Sequence, residues 1–315
     1  MELTEIKTKR KFSREFVGVS DVRYVYLNEM RRHNKTKKIY PCNPYAEVFQ
    51  FRDNLFCILT ESLDGMGNPW CHLIVGPEKA MLIDTSFGLG DLKGVCDEIT
   101  GGKELIVVNT HCHFDHAYGN FQFDTVYCHE NEYPLIKERM NPHIWDYLFD
   151  ENGEGIWAEF DKNDIVEFKE YNLIGVKDHH IFDLGGGYEV ELIYFPGHSP
   201  GHSAFLDKRN HILFGGDQTC YGGPISLKSF DGVVGMRDSL KGMLDRIDEI
   251  EAVFPGHAYL DMDPIILNDL YVACNKIIDN PEKPEIERTF TMMDGTAGIQ
   301  RGVRYDYNTF VMWRV

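Results

Sequence analysis

The run "NTHCHFDHAYGN", residues 109–120, places His111, His113, Asp115 and His116 within six consecutive positions. Imidazole nitrogens and a carboxylate at that density are the ligand types of divalent zinc, iron or manganese. Upstream, "ELIVVNT" is apolar, β-branched and of strand length, and Gly119 and Asn120 follow as turn-formers. The cluster is therefore expected in a loop at the end of a buried strand. Three more segments follow the same plan: "FPGHSPGH" at 195–202, "LFGGD" at 213–217 and "VFPGH" at 253–257. Each leads an apolar run into a glycine turn that presents a histidine or an aspartate. Glycine permits the sharp turns and close approach that loops converging on one ion require. The candidate ligands are His111, His113, Asp115, His116, His198, Asp217 and His257.

Seven such donors exceed what one tetrahedral zinc uses. They suit two adjacent divalent ions with a carboxylate between them. Neutral imidazoles, two carboxylates, two dications and a bridging hydroxide leave a formal charge near ~+1, which suits an anionic tetrahedral intermediate. His202 reads as support for this site, not as a ligand. His33, His72, His129, His143, His179, His180 and His211 have no comparable context and read as structural.

The set HxHxDH, PGHSPGH, GGD and PGH resembles the metallo-β-lactamase superfamily over about residues 46–260. That resemblance implies an α/β fold, a four-layer αβ/βα sandwich with metals at the strand-end edge, and hydrolysis as the usual reaction. Carried over, His111, His113 and His198 hold one ion, Asp115, His116 and His257 hold the other, and Asp217 bridges them. Asp84, in "LIDTS", matches the family's buried aspartate that supports the metal loop; otherwise it caps the turn before Gly88.

The resistance β-lactamases carry cysteine where this chain has Asp217, so the resemblance is to the glyoxalase II, lactonase and esterase-like branch. A metal-bridging hydroxide would then attack a carbonyl carbon, with Asp115 orienting it and Tyr221 a candidate donor to the oxyanion. The implied cofactors are two divalent ions, zinc ahead of iron or manganese. A small carbonyl ester is the expected substrate, a lactone or related ester or thioester first. A phosphodiesterase and an iron-dependent, persulfide-type oxygenase are the alternatives on the same scaffold. A non-catalytic binding protein would show lost ligands, and none is missing.

Several elements must position these groups. "AEVFQFRDNLFCILTE", "WCHLIVG" and "KAMLIDTS" read as hairpin strands from Ala46 onward. A helix is expected at about 90–99 and a short one near 131–140. Another is expected over 237–250, where Leu240, Met243, Leu244, Ile247 and Ile250 share a face. Strands "TVYCHE", "GYEVELIYF" and "HILFGGD" complete a layered sandwich. The organisation read is a solvated or partly helical N-terminal extension, 1–45, and a main domain, 46–283. A lid-like insertion, 141–180, interrupts that domain, and the C-terminal segment 284–315 packs on it. The Gly-rich loop 62–69 with Trp70, and the aromatic insertion, are expected to wall the cleft.

Composition bounds the partners. The 315-residue chain has 32 Lys+Arg against 50 Asp+Glu, a formal charge of −18. So acidic a chain repels a phosphate backbone, so nucleic acid is not an expected partner. No signal peptide is visible in "MELTEIKTKRKFSREF", no apolar run reaches membrane-spanning length, and the eight cysteines show no pairing pattern. A cytoplasmic protein with reduced thiols and a small-molecule substrate is expected, with self-association left open.

Overall fold

The computed structural model describes residues 3–11, 22–65, 67–222, 224–291, 297–305 and 309–315. Two sheets face each other at its centre. The first has seven strands: Ala46–Arg52, Leu55–Thr60, Trp70–Val75 and Lys79–Ile83 run antiparallel, then Glu104–Val108, Thr125–His129 and Asn172–Val176 continue in parallel. The second has five: Ile181–Asp183, Glu189–Tyr194, Ser203–Asp207, Ile212–Gly216 and Ala252–Pro255. Helices cover both outer faces, giving the expected four-layer sandwich.

The near-continuous apolar runs follow from burial on both faces. Phe49, Cys57, Ile74 and Val108 meet Val190, Phe205, Phe214 and Phe254 between the sheets. The opposite face of the first sheet, with Val48, Ile58 and Leu82, packs under Leu92, Val95 and Cys96 of the helix Leu92–Thr100. The second sheet's outer face packs Leu206, Leu213 and Val253 against the helices Phe230–Leu244 and Ile265–Asp279. Among the described residues no helix is long and apolar enough to cross a membrane.

Three expectations need correction. The helix read over 237–250 begins at Phe230, where the Ser229 side chain caps the Gly232 amide, and ends at Leu244; a separate 3-10 turn covers Ile247–Glu249. Glycines hid its start, since each weakens a helix by roughly 1 kcal/mol relative to alanine. Gly232 suits close packing: a Cβ there would lie 3.0 Å from the Gly197 carbonyl oxygen, so the helix rests against the loop carrying His198.

The insertion read as 141–180 is shorter, because Asn172–Val176 is a strand of the first sheet, paired in parallel with Thr125–His129. Its aromatics are largely core. Trp145 is buried and donates its indole proton to the Phe87 carbonyl at 2.8 Å, and Leu148 lies wholly beneath the surface. Trp70 is likewise not at a cleft wall. It is fully buried between the sheets against Phe49, with its indole nitrogen donating to the Ala258 carbonyl at 3.2 Å.

The N-terminal extension is partly helical where it is described, mostly exposed or half-buried, and anchored to the body at a few points. Lys9–Arg10 pairs with Ala158–Glu159, Leu27 of the helix Val22–His33 is buried, and Arg31 forms an ion pair with Glu47. Residues 12–21 of that extension, and Met66 of the loop 62–69, lie outside the described residues. At the C-terminal end, Ile286–Thr291, Ala297–Arg304 and Phe310–Arg314 form a sheet with Pro224–Leu227 of the main body.

Candidate metal centre

The four loops foreseen from sequence leave neighbouring strand ends and converge. His111 and His113 follow Glu104–Val108; Asp115 and His116 lie on the single turn Phe114–Ala117, so one short segment supplies donors facing two ways. His198 follows Glu189–Tyr194, Asp217 follows Ile212–Gly216, and His257 follows Ala252–Pro255.

All seven candidates come together, in two groups. In the first, His113 Nδ1 lies 3.0 Å from His111 Nε2 and 2.9 Å from His198 Nε2. In the second, His116 Nε2 is 3.2 Å from His257 Nε2, and Asp115 Oδ2 is 3.1 Å from His257 Nε2. Asp217 stands between them. Its Oδ2 is 3.4 Å from His198 Nε2, while its Oδ1 is 3.2 Å from His116 Nε2 and 3.4 Å from His257 Nε2. Gly256 permits that placement, because a Cβ there would come 2.5 Å from Asp217 Oδ1. His111 and His116 form the buried floor; His113, His198, Asp217 and His257 are half-buried and give the site its open side.

The tautomers decide whether a cation fits. His116 Nδ1 donates to Asp84 Oδ2 at 2.8 Å, His257 Nδ1 to the Asn68 carbonyl at 3.0 Å, and His198 Nδ1 to the Ser226 carbonyl at 2.7 Å. Thr110 Oγ1 gives its proton to Asp84 Oδ2, so it accepts from His111 Nδ1 at 2.9 Å. In its neutral form each of these rings therefore turns an unprotonated Nε2 inward. Lone pairs facing one another at about 3 Å repel unless a cation sits between them, and Asp217 Oδ1 is buried without a hydrogen-bond donor. The donor set fits two divalent ions.

The electrostatics agree for the first group. Burial, reinforced by neighbouring imidazoles, holds His111 and His113 well below the ordinary histidine value, keeping them neutral as ligands must be. In the second group burial opposes protonation of His257, but Asp217 and Asp115 outweigh it and raise its value to about 9. The same contacts hold Asp115 and Asp217 below the ordinary carboxylate range.

Asp84 supports the loop and does not cap the turn before Gly88. It accepts from the Thr110 amide at 2.7 Å as well as from Thr110 Oγ1 and His116. His202 sits behind Asp217, its Nε2 accepting from the Asp217 amide at 3.2 Å. Tyr221 is half-buried, its ring edge-on to Tyr259 at 5.2 Å, two residues past His257. His72 is structural: fully buried, pushed down to about 3 by burial, and within 3.2 Å of the Pro255 carbonyl.

Glu132 escaped the sequence reading. Wholly buried, it accepts from the Cys112 amide at 2.7 Å, Ser199 Oγ at 2.9 Å and the Gly201 amide at 2.7 Å. It thereby staples the loop bearing His111 and His113 to the loop bearing His198. Nothing local marked it, because its partners lie at sequence separations of 20, 67 and 69 residues.

The chain is similar to known proteins. The sequence model of the family described as "Metallo-beta-lactamase superfamily" matches residues 64–281. The human acyl-coenzyme A thioesterase MBLAC2 is 28% identical over 223 residues, covering 65% of this chain and 78% of that protein. An N-acyl homoserine lactonase from Bacillus cereus is 31% identical over 168 residues, covering 44% of this chain and 57% of that one. A solved metallo-beta-lactamase from Pontibacter korlensis superposes with a TM-score of 0.55 at 16% identity, covering 73% of this chain and 99% of that one. That last likeness is one of fold.

Proposed function

The chain belongs to the metallo-β-lactamase superfamily, as a hydrolase with a His/Asp site for divalent metal, and on that premise we propose that it cleaves an acyl thioester or related ester. The observation that carries this reading is Asp217, which directs one oxygen to each of two convergent donor groups. Two divalent ions held there would polarise a carbonyl oxygen and acidify a water. Asp115 then orients the attacking water and takes its proton. Tyr221, on the loop after Asp217, is the candidate donor to the oxyanion. Asp84 and Glu132 hold the ligand loops so that none of this requires rearrangement.

A thioester ranks ahead of the lactone favoured by sequence analysis because the thioesterase relative matches over 65% of the chain and the lactonase over 44%. Zinc is the proposed metal, with iron and manganese compatible with the same donors. The free state of all eight cysteines supports a reducing, cytoplasmic setting.

Elemental analysis of protein purified without chelator should give near two equivalents of metal, and Asp217→Ala should lose at least one. The same preparation is then offered acyl thioesters, lactones, simple esters and a bis-aryl phosphodiester. Preference for the phosphodiester, or turnover that requires both oxygen and iron, refutes the proposal.

A further inference from the structure

Three cations that the metal centre does not use stand around its first donor group. Lys228 follows the strand Pro224–Leu227, which pairs in parallel with Phe310–Arg314, Leu227 opposite Trp313. Lys228 and Arg314 therefore leave that ladder side by side. Two residues earlier in the strand, the Ser226 carbonyl fixes His198, and the Lys228 amide itself donates to the Gly197 carbonyl at 2.9 Å. From the other side comes Arg139, at the end of the helix Tyr133–Glu138. Its guanidinium donates to the carbonyl of Cys112, between His111 and His113.

These cations are unneutralised. Several other basic side chains find acids: Arg10 with Glu61, Arg31 with Glu47, Arg52 with Asp261, Arg246 with Glu191. Among the described residues, no carboxylate forms an ion pair with Lys228, Arg314 or Arg139 at 4.0 Å or less. Glu132 is nearby, but its oxygens are taken by Cys112, Ser199 and Gly201. Arg314 lays its guanidinium on Phe290 at 5.1 Å, and its Nε is buried without a hydrogen-bond partner. Crowding by protein, then Arg314, then Arg139 press the Lys228 ammonium below its ordinary value, opposed by Cys112 and Glu132. A chain of charge −18 has ample acid to neutralise such a patch and does not do so here. Clustered like charges destabilise a fold unless a ligand of opposite charge repays them.

We propose that Lys228, Arg314 and Arg139 form an anion subsite that holds phosphate groups on the thiol half of an acyl thioester substrate. The proposal rests on the thioesterase reading above and names the part of the substrate that lies away from the scissile bond. Three cations from three elements exceed what one carboxylate can pair with, whereas phosphate offers more oxygens and more charge. The subsite borders His113 and His198, so an anion held there anchors the substrate beside the first donor group. Binding energy from such a remote contact is what positions a carbonyl for attack.

The test compares an acyl-coenzyme A with the same acyl group on N-acetylcysteamine, which lacks phosphate, for the parent, Lys228→Ala and Arg314→Gln. Each variant should raise KM for the coenzyme A thioester about tenfold and lower its kcat/KM relative to the phosphate-free thioester. Desulfo-coenzyme A, which has no thiol, is titrated into the metal-loaded proteins by calorimetry. Its binding should weaken by a similar factor, with metal content unchanged. An unchanged ratio of the two thioesters, or equal desulfo-coenzyme A affinity in parent and variants, overturns the subsite. So does a loss confined to a succinyl-N-acetylcysteamine thioester, which would assign the cations to an acyl carboxylate. If the parent cleaves neither thioester, the thioesterase reading fails, while the calorimetric comparison still decides the subsite.

Discussion

Replacing Glu132 by alanine strands the groups it holds. The Ser199 hydroxyl can turn away, but the Cys112 and Gly201 amides are fixed by the backbone and lose their acceptor. Two buried N–H groups at about 2 kcal/mol each give a destabilisation of about 4 kcal/mol. For a protein of this size that lowers Tm by roughly 6 °C. The damage should also be local to one donor group. Cys112 lies between His111 and His113, and Ser199 follows His198, so the first group loses its staple. The second keeps Asp84 on His116 and the Asn68 carbonyl on His257. Thermal unfolding of the metal-loaded protein, with competition against a chromophoric chelator, reads both effects. One of two metal equivalents should weaken by about 10- to 100-fold and the other hold. Glu132→Gln should show about half the loss of stability, because its amide satisfies one N–H and opposes the other. An alanine variant that melts within about 2 °C of the parent and retains both metals equally would refute the stapling argument.

Asp84→Asn sets an amide donor against either His116 Nδ1 or the Thr110 groups, and should weaken metal binding by about 10- to 100-fold in the same chelator competition; unchanged affinity would separate Asp84 from tautomer control. Tyr221→Phe should lower kcat by about 10- to 1,000-fold with metal content intact if the hydroxyl meets the oxyanion, and an unchanged kcat would assign Tyr221 to packing against Tyr259. Away from the site, Arg246 and His179 overcome the burial of Glu191 and depress its carboxyl from 4.5 to about 2. Because the folded value is the lower one, this stabilisation is complete above pH 4.5 and is lost as pH falls toward about 2. Denaturant titrations should show Glu191→Gln less stable than the parent at neutral pH, with the gap closing over that window. A gap that stays constant would remove Glu191 from the acid response.

The candidate ligands were legible because their own neighbours announce them: an apolar strand leads into a short turn, glycine-rich in three of the four segments, that carries the donors. The four layers were legible for a similar reason, since runs such as Lys79–Ile83 and Ile212–Gly216 are apolar on both faces and must be covered twice. Where the reading failed, the deciding contact was remote. Gly232 argues against a helix locally; Ser229 caps the helix start, and close packing on Gly197 explains why a glycine stands in its first turn. "NLIGV" reads as part of the insertion because its strand character depends on pairing with Thr125–His129, 47 residues earlier. Trp70 was placed at the cleft from adjacency to a Gly-rich loop. Alternation along Trp70–Val75 turns it inward, toward Phe49.

The same distinction runs through the metal centre. Residue type determines which atoms can ligate, but the unprotonated nitrogen of each ring is chosen by a partner outside the ligand set. Asp84, Thr110, Ser226 and Asn68 take the outer proton of His116, His111, His198 and His257 in turn. Two of those partners are backbone carbonyls that long-range structure delivers: Ser226 from the strand beside the C-terminal sheet, and Asn68 from the loop braced by Arg10 of the N-terminal segment. Segments outside the core of the motif set therefore help to hold the second ring nitrogen of two candidate ligands. Their contribution to metal binding follows from hydrogen-bond geometry, and no pattern of ligand spacing could have shown it.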